Sequence, residues 1–528
     1  MRLIEARTLV DEQRITFKEF YGSNIPDYAI LSHTWDQDQT KEVTYDDCIA
    51  GNPSSGTGYD KIHNTCELAL DDGIEYVWID TCCINKSSSA ELTEAINSMF
   101  PWYQQATVCY AHLADLDGAE SMKSCRWFSR GWTLQELIAP KSMAFYDRSW
   151  TCVGSKTSLI YKLSAITGID VDILSHDAPL SSTCIAKRLS WAAKRETTRV
   201  EDMAYCLLGI CNINMPMLYG EGNKAFRRLQ EEIVRSTYDL SLLAWTPPTT
   251  TRGDYCGFLA ESVSDFKGCS KMYSVTDSLL DEGEMTITNK GLRIKASEYI
   301  LKYARVTHRY AVKLDCMIPG RSGIFLSIPM RKIGPNIFIR ARTVDKAPSF
   351  SLVDLSSSGF NRLRTFTLLS SLPPARIPRQ ISSGDSPNAV SSSRFTVVQM
   401  RLPAEIAQAD TEISPVKYWD AEDCAFFGTR SLLQYWGAVR LSNGVVFLCF
   451  WYRKVNDWMF RGTLLKTESK ASQELTKNLF SVADEFDFQA FTVMNLLEAA
   501  QTDMASIPVV TRNGGPRWEV QIHQSREY

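Results

Sequence analysis

Residues 129–138, which read Ser-Arg-Gly-Trp-Thr-Leu-Gln-Glu-Leu-Ile, carry the residue types best suited to chemistry in this chain. Glu136 follows Trp132 by four positions, and residues four apart lie on the same face of a helix. Arg126 and Arg130 come just before this pair. A flat aromatic ring can hold a planar group, and a carboxylate can stabilise an oxocarbenium-like transition state. The spacing therefore favours cleavage of a bond to a sugar carbon.

The same ten residues also have a plainer interpretation. A stripe of tryptophan and leucine on a short helix usually packs into a core, and a glutamate beside it usually faces solvent. The segment alone does not decide between these two possibilities, so the elements that would position it must be considered.

The composition indicates a soluble globular protein of two to four domains. The chain has 528 residues, of which 44% are hydrophobic and 22% are charged. A net charge of -4 argues against a general nucleic-acid coat. We find no run of about 18 apolar residues, so no membrane span is expected. The first residues lack the apolar segment of a secretory signal, which favours a cytoplasmic location.

Cysteine and histidine usage argues against disulfides and metal. The 15 cysteines have no regular spacing, several lie within apolar patterns, and the chain has 6 histidines without a CxxC motif. We therefore expect buried free thiols in a reducing compartment and no metal site.

The first half alternates strands with helices. Short apolar runs predict strands at 28–32, 76–80, 108–113 and 143–146. Helical spacing predicts a helix over about 59–72, and further helices before and after the last strand. Such alternation implies parallel strands joined by right-handed crossovers, with both faces of the sheet covered.

Parallel sheets bind ligands beyond the carboxyl ends of their strands. This rule gathers several polar or aromatic side chains at one edge, near the segment that carries Glu136. They are Ser32, His33, Trp35, Asp80, Arg126, Arg130 and Trp132. Structural roles stay open for them: His33 and Asp80 could bond the backbone, and the arginines could pair with surface carboxylates. Cys82 and Cys83 are interpreted as packing thiols, and Trp127 and Phe128 as core.

A composition break separates the two halves. Residues 246–253 read Thr-Pro-Pro-Thr-Thr-Thr-Arg-Gly, which is typical of a linker. We place a first domain at 1–240, a linker at 241–255 and a mostly β domain at 256–528, because short alternating strands follow the break. Residues 370–393 are rich in proline and serine and predict a surface loop.

Five blocks of the first half resemble one known family in their order. They are 28–35 (YAILSHTW), 77–86 (VWIDTCCINK), 126–140 (RWFSRGWTLQELIAP), 199–210 (RVEDMAYCLLGI) and 215–222 (MPMLYGEG). Together they resemble the fungal heterokaryon incompatibility (HET) domain. The resemblance covers roughly residues 1–235.

The resemblance implies a cell-death effector that acts when genetically different fungal cells fuse. HET domains are similar to Toll/interleukin-1 receptor (TIR) domains, so it also implies a flavodoxin-like (TIR-like) parallel sheet with added helices. Many TIR domains cleave NAD with a glutamate four residues after a tryptophan, the spacing of Trp132 and Glu136. NAD would then be a substrate rather than a cofactor, with Glu136 catalytic.

The resemblance leaves an alternative open, because many TIR-like domains are non-enzymatic scaffolds that act through protein contacts. For the enzymatic function, the TIR resemblance implies self-association of first domains on activation. We expect the β domain to be regulatory, with a protein partner or trigger as its ligand.

Overall fold

A computed structural model gives the architecture. It describes residues 1–247 except 23, 52–54 and 118–121, and then 255–275, 283–300, 310–319 and 324–341. From residue 351 onward it describes the strands given below, together with residues 370 and 473. Residues 371–393 of the predicted surface loop lie outside the described residues.

The first half contains a seven-stranded mixed sheet in the order β2-β1-β4-β3-β5-β6-β7. Its strands are β1 (Arg2–Glu5), β2 (Phe17–Glu19), β3 (Tyr28–His33), β4 (Tyr76–Trp78), β5 (Val108–His112), β6 (Met143–Tyr146) and β7 (Cys152–Ser155). The four central strands, β4, β3, β5 and β6, run parallel. The flanking strands β1, β2 and β7 are antiparallel. The predicted α/β class with parallel strands is therefore confirmed.

Helices connect and cover these strands. They are α1 (Ala6–Glu12), α2 (Tyr45–Gly51), α3 (Thr57–Asp71), α4 (Ser89–Gln105), α5 (Thr133–Ile138), α6 (Ile160–Thr167), α7 (Val171–Leu174), α8 (Ile185–Ala192), α9 (Asp202–Tyr205), α10 (Leu208–Cys211) and α11 (Lys224–Ser236). The chain steps from β3 to β4 on one side and then back across β3 to β5. Right-handed crossovers therefore place α3 and α4 on opposite faces. All six residues of β3 are buried as a result.

Local sequence explains where the helices next to the site begin. Ser88 caps α4, because its side chain accepts a hydrogen bond from the Glu91 N–H at 3.3 Å. The Glu91 carboxylate binds Arg2 at 2.7 Å and the Asn85 N–H at 2.8 Å. The start of α4 is thereby tied to β1.

The second half is rich in β-strands, as the sequence predicts. An eight-stranded sheet has the order β16-β14-β12-β11-β17-β15-β8, with β10 paired to β11, and smaller sheets follow. The strands are β8 (Tyr255–Cys256), β9 (Tyr273–Ser274), β10 (Glu284–Ile287), β11 (Gly291–Ile300), β12 (Tyr310–Lys313), β13 (Cys316–Met317), β14 (Ile324–Gly334), β15 (Ile337–Ala341), β16 (Ser351–Asp354), β17 (Asn361–Leu369), β18 (Val397–Arg401), β19 (Glu412–Ser414), β20 (Trp419–Asp420), β21 (Ala425–Thr429), β22 (Gln434–Arg440), β23 (Val446–Lys454), β24 (Asp457–Leu465), β25 (Met504–Ser506), β26 (Val509–Thr511) and β27 (Arg517–Val520).

A buried arginine joins the two halves. Arg340 of β15 is 1% exposed and donates to the carbonyl oxygens of Leu243, at 2.9 Å, and Trp245. Its guanidinium lies 3.9 Å from the centroid of the Trp245 ring. Trp245 in turn donates from its indole nitrogen to the Phe258 carbonyl at 2.9 Å. Residues at the start of the predicted linker are thus buried against the β region.

We predict that Arg340→Ala lowers the free energy of unfolding by about 2–3 kcal/mol, because two buried carbonyl oxygens lose their donors. Urea unfolding of the whole chain measures this loss. Arg293→Ala is the control, since Arg293 is exposed on β11 of the same sheet. Equal stability of the two variants would contradict the anchoring role of Arg340.

Candidate functional site

The candidate site lies at the carboxyl ends of β3, β4 and β5. Ser32 and His33 end β3, and Asp80 follows β4 by two residues. Helix α5 brings Glu136 to the same edge, across from Ser32. The sheet edge therefore brings together residues from three separate parts of the sequence.

A hydrogen-bonded pair forms the centre of the site. The Ser32 hydroxyl donates to Oε2 of Glu136 at 2.5 Å and accepts from the Trp127 indole nitrogen at 2.9 Å. Ser32 is 0% exposed and Glu136 is 5% exposed. The carboxyl group thus lies beneath the surface rather than in an open cleft.

Burial dominates the electrostatics of Glu136. It raises the pKa of this carboxyl to about 8, and the negative charge of Asp80 acts in the same direction. The Ser32 hydroxyl, the positive charge of Arg195 and the Tyr103 hydroxyl oppose that rise. Glu136 is therefore mostly protonated at neutral pH.

Asp80, unlike Glu136, is ionised at neutral pH. Its carboxylate accepts from Trp35 Nε1 at 2.8 Å and contacts His33 Nε2 at 3.1 Å. Burial opposes ionisation, but the His33 hydrogen bond and the positive charge of Lys86 outweigh it and lower the Asp80 pKa to about 2. Two neighbouring carboxyl groups are thus held in different protonation states, an arrangement typical of acid–base sites.

Trp35 forms the outer part of the site. Its ring is half-buried, and the ammonium group of Lys86 lies 3.5 Å from the ring centroid. Arg126 donates from its side chain to the Trp35 carbonyl oxygen, and its own N–H donates to Asp115 at 2.7 Å. The half-buried Trp35 ring therefore lies against the Lys86 cation, while Arg126 binds the backbone of the same residue.

Arg130 and Trp132 bond to a different part of the domain. The Arg130 side chain donates to Thr198 Oγ1 at 3.1 Å, on an exposed segment. Trp132 immediately precedes α5, is half-buried, and hydrogen-bonds to Asp202 of α9. The indole that hydrogen-bonds within the Glu136–Ser32 pair belongs instead to Trp127.

Sequence reasoning missed several residues of the site. Trp127 is buried as predicted for a core residue, but its indole N–H also donates to Ser32, because a buried indole N–H needs an acceptor. Tyr103 of α4 is another, because its hydroxyl donates to the Leu31 carbonyl at 2.9 Å and also bonds Glu136. Nothing in the local sequence around Lys86 or Arg195 indicates a role in the site, because they contact residues that are distant in the chain.

Buried cations hold both ends of α5. At its start, Arg195 donates to the Arg130 carbonyl at 2.7 Å and to Thr133 Oγ1 at 2.9 Å. At its end, Lys156 donates to the carbonyls of Ile138 at 3.4 Å and Pro140 at 2.8 Å. Positive charge at a helix C-terminus is favourable, so Lys156 stabilises the end of the helix that carries Glu136.

A glycine permits the close packing before α5. Gly131 lies against residues 196 and 197, and its N–H donates to the Glu196 carbonyl at 2.8 Å. A Cβ atom at position 131 would lie 2.6 Å from Cγ2 of Thr197. A larger residue there would displace the Thr197 side chain, so glycine lets the two segments pack closely before α5.

Within the part of the chain that the structure describes, no cluster of three or more histidine, cysteine, aspartate or glutamate residues is arranged to hold a metal ion. Among the same residues, no helix is long and apolar enough to cross a membrane.

Comparisons with known proteins identify the same family that the sequence motifs resemble. Residues 28–126 match the family model of the heterokaryon incompatibility protein (HET), and residues 224–280 match a domain of unknown function (DUF8212). Vegetative incompatibility protein HET-E-1 of Podospora anserina is 45% identical over 260 residues, which are 47% of this chain. The match spans 19% of that relative's length.

No solved structure matches the chain. The family match begins at Tyr28, the first residue of β3, and ends at Arg126, which contacts Trp35. It therefore includes Ser32, His33 and Asp80 at the sheet edge. Residues 28–126 of this chain are therefore similar to the heterokaryon incompatibility (HET) domain.

Proposed function

We propose that the HET domain is a cell-death effector of heterokaryon incompatibility that cleaves NAD to nicotinamide and ADP-ribose through Glu136 when activated. The observation that carries this proposal is the Glu136–Ser32 hydrogen bond of 2.5 Å at the carboxyl edge of the sheet, beside ionised Asp80. An incompatibility role is supported by the 45% identity to a vegetative incompatibility protein.

The topology supports a ligand site at this edge. Counted along the chain, the four parallel strands have the spatial order 2-1-3-4, because β4 and β5 lie on either side of β3. Doubly wound sheets of the flavodoxin-like order 2-1-3-4-5 bind ligands where the strand order reverses. That point lies between β3 and β5, beside Ser32. This order is consistent with the TIR-like sheet that the resemblance implies.

The chemistry needs one carboxylate and a means of holding the substrate. The nicotinamide ring of NAD is cationic, so it leaves with the bonding electron pair when the bond between its nitrogen and the ribose carbon breaks. Glu136 in its ionised form stabilises the oxocarbenium ion, and water then adds to that carbon and loses a proton. The half-buried ring of Trp35 can stack on an aromatic ring of NAD. Arg126 and Lys86 can pair with the pyrophosphate.

The resting structure supports a need for activation. Glu136 is buried and protonated at neutral pH, so the site must open and the carboxyl must lose its proton before turnover. Self-association of HET domains is the opening step that the TIR resemblance implies. We infer that the β region, anchored through Arg340, restrains that step and receives a partner or trigger.

A non-enzymatic scaffold is the second candidate function, and the burial of Glu136 favours it. With 5% exposure and a bond to Ser32, this residue could serve only to join α5 to β3. Partner recruitment would then take place on the surface of the HET domain. Measurement of NAD cleavage distinguishes the two functions.

We predict that Glu136→Gln lowers nicotinamide release from NAD by at least about 100-fold, because the substitution keeps the shape of the side chain but removes its charge. Purified full-length protein is incubated with NAD over a range of protein concentrations, and free nicotinamide is quantified by chromatography. Glu196→Gln is the matched control, since Glu196 is exposed next to the start of α5.

Two results would contradict the proposal. One is retained cleavage by folded Glu136→Gln protein. The other is the absence of wild-type cleavage at every concentration, which would favour the scaffold.

We also predict that Glu136→Gln stabilises the fold at neutral pH. Folding raises the pKa of Glu136 from 4.5 to about 8, so the folded state binds a proton that the unfolded state has released. Burial of Glu136 therefore lowers the free energy of unfolding by an amount that grows as pH rises from about 4.5 towards 8. This loss amounts to about 3 kcal/mol near pH 7.

Urea unfolding of wild type and Glu136→Gln at pH 4.5 and pH 7.5 measures this effect. The variant should be more stable at pH 7.5, and the difference should largely vanish at pH 4.5. A difference that does not depend on pH would show that Glu136 ionises normally in the fold.

A further inference from the structure

Arg195 is a buried cation whose hydrogen-bonding capacity is only partly used. Its side chain lies in the interior, with the residue 6% exposed, and Nη1 binds the Arg130 carbonyl and the Thr133 hydroxyl. Its Nη2 is buried and has no hydrogen-bond partner among the described residues. Because buried polar groups are almost always paired, this free N–H marks a place for an acceptor.

Two ionisable groups interact with the Arg195 charge, the Cys206 thiol and the Glu136 carboxyl. Burial raises the pKa of the thiol, so Glu136 is the one that changes its charge near neutral pH. Thr133, which binds Arg195, is the first residue of α5 and lies one helical turn before Glu136. Several groups face the Glu136 carboxyl from the surrounding elements: Ser32 of β3, Asp80 after β4, Tyr103 of α4, Cys109 of β5, and Arg195. Among them Asp80 carries a negative charge that disfavours a second carboxylate, and Arg195 carries a positive charge that favours it.

We propose that Arg195 is a positioning residue whose positive charge allows Glu136 to ionise within the protein interior. Through Thr133 and Arg130, the same guanidinium fixes where α5 begins and hence where Glu136 lies. Its unpaired Nη2 can donate to the ionised carboxylate, directly or through a water molecule. This inference rests on the proposed function, in which the carboxylate is the form of Glu136 that acts.

The arrangement explains why a cation is buried at this position. Desolvation makes an isolated carboxylate unfavourable in the interior, and Asp80 adds like-charge repulsion. A surface cation would be screened by solvent, whereas a buried guanidinium is screened much less. Arg195 is held in place by two hydrogen bonds, so its charge stays near Glu136 in both protonation states.

The test is the titration of the Glu136 carboxyl in the full chain. Protein labelled with ¹³C at the glutamate side-chain carboxyls is titrated by NMR, and the Glu136 signal is assigned by its loss in Glu136→Gln. We expect Arg195→Gln, which removes the charge but keeps an amide donor, to raise the titration midpoint by about one unit or more. Arg195→Lys should restore it towards the wild-type value.

Lys194→Gln is the matched control, because Lys194 is exposed and adjacent in sequence, and it should leave the midpoint unchanged. If Arg195→Gln does not fold, Arg195→Met keeps the packing of the side-chain stem and gives the same comparison. If Glu136 titrates with the wild-type midpoint in Arg195→Gln or Arg195→Met, the inference is overturned.

The two proposals fail in different ways. Absence of NAD cleavage by the wild type would refute the enzymatic function but leave the shift in the Glu136 midpoint measurable. An unchanged midpoint would refute the role of Arg195 and leave Glu136-dependent cleavage intact.

Discussion

The hydrogen bond between Ser32 and Glu136 is the contact on which the account of this domain depends. It joins Ser32, near the end of β3, to Glu136 of α5, which lies 104 residues later in the chain. Because the carboxyl is buried, its protonation state is set by its neighbours rather than by solvent. The contact that joins β3 to α5 therefore also influences the protonation state of this carboxyl.

The rest of the domain serves to hold this carboxyl in place. Parallel strands bring Ser32 and Asp80 to one edge, and buried Arg195 and Lys156 fix the two ends of α5. Asp80 stays ionised through His33, Trp35 and Lys86, and its negative charge adds to the burial that keeps Glu136 protonated at rest. Buried ionisable groups with shifted pKa values are common at functional sites, even though their burial lowers the stability of the fold.

Part of this arrangement could be predicted from sequence, because local patterns determine it. Apolar runs predicted β3, β4, β5 and β6, and the polar residues Ser32, His33 and Asp80 at their carboxyl ends do lie together at one sheet edge. Strand β7 was missed because it is largely exposed and has no apolar alternation. The partners of Trp127, Trp132 and Arg195 could not be predicted, since tertiary packing brings them together over 62 to 95 residues of chain. The burial of Glu136 has the same origin: its own helix has six residues, and other elements cover it.

The pH dependence of nicotinamide release by the wild-type chain tests the central claim most directly. If ionised Glu136 cleaves NAD and its pKa lies at about 8, the rate should be low near pH 6 and rise as the pH passes through about 8. A rate that is already maximal at pH 6, or that falls as the pH rises, would contradict the account of a buried carboxyl that must lose its proton to act.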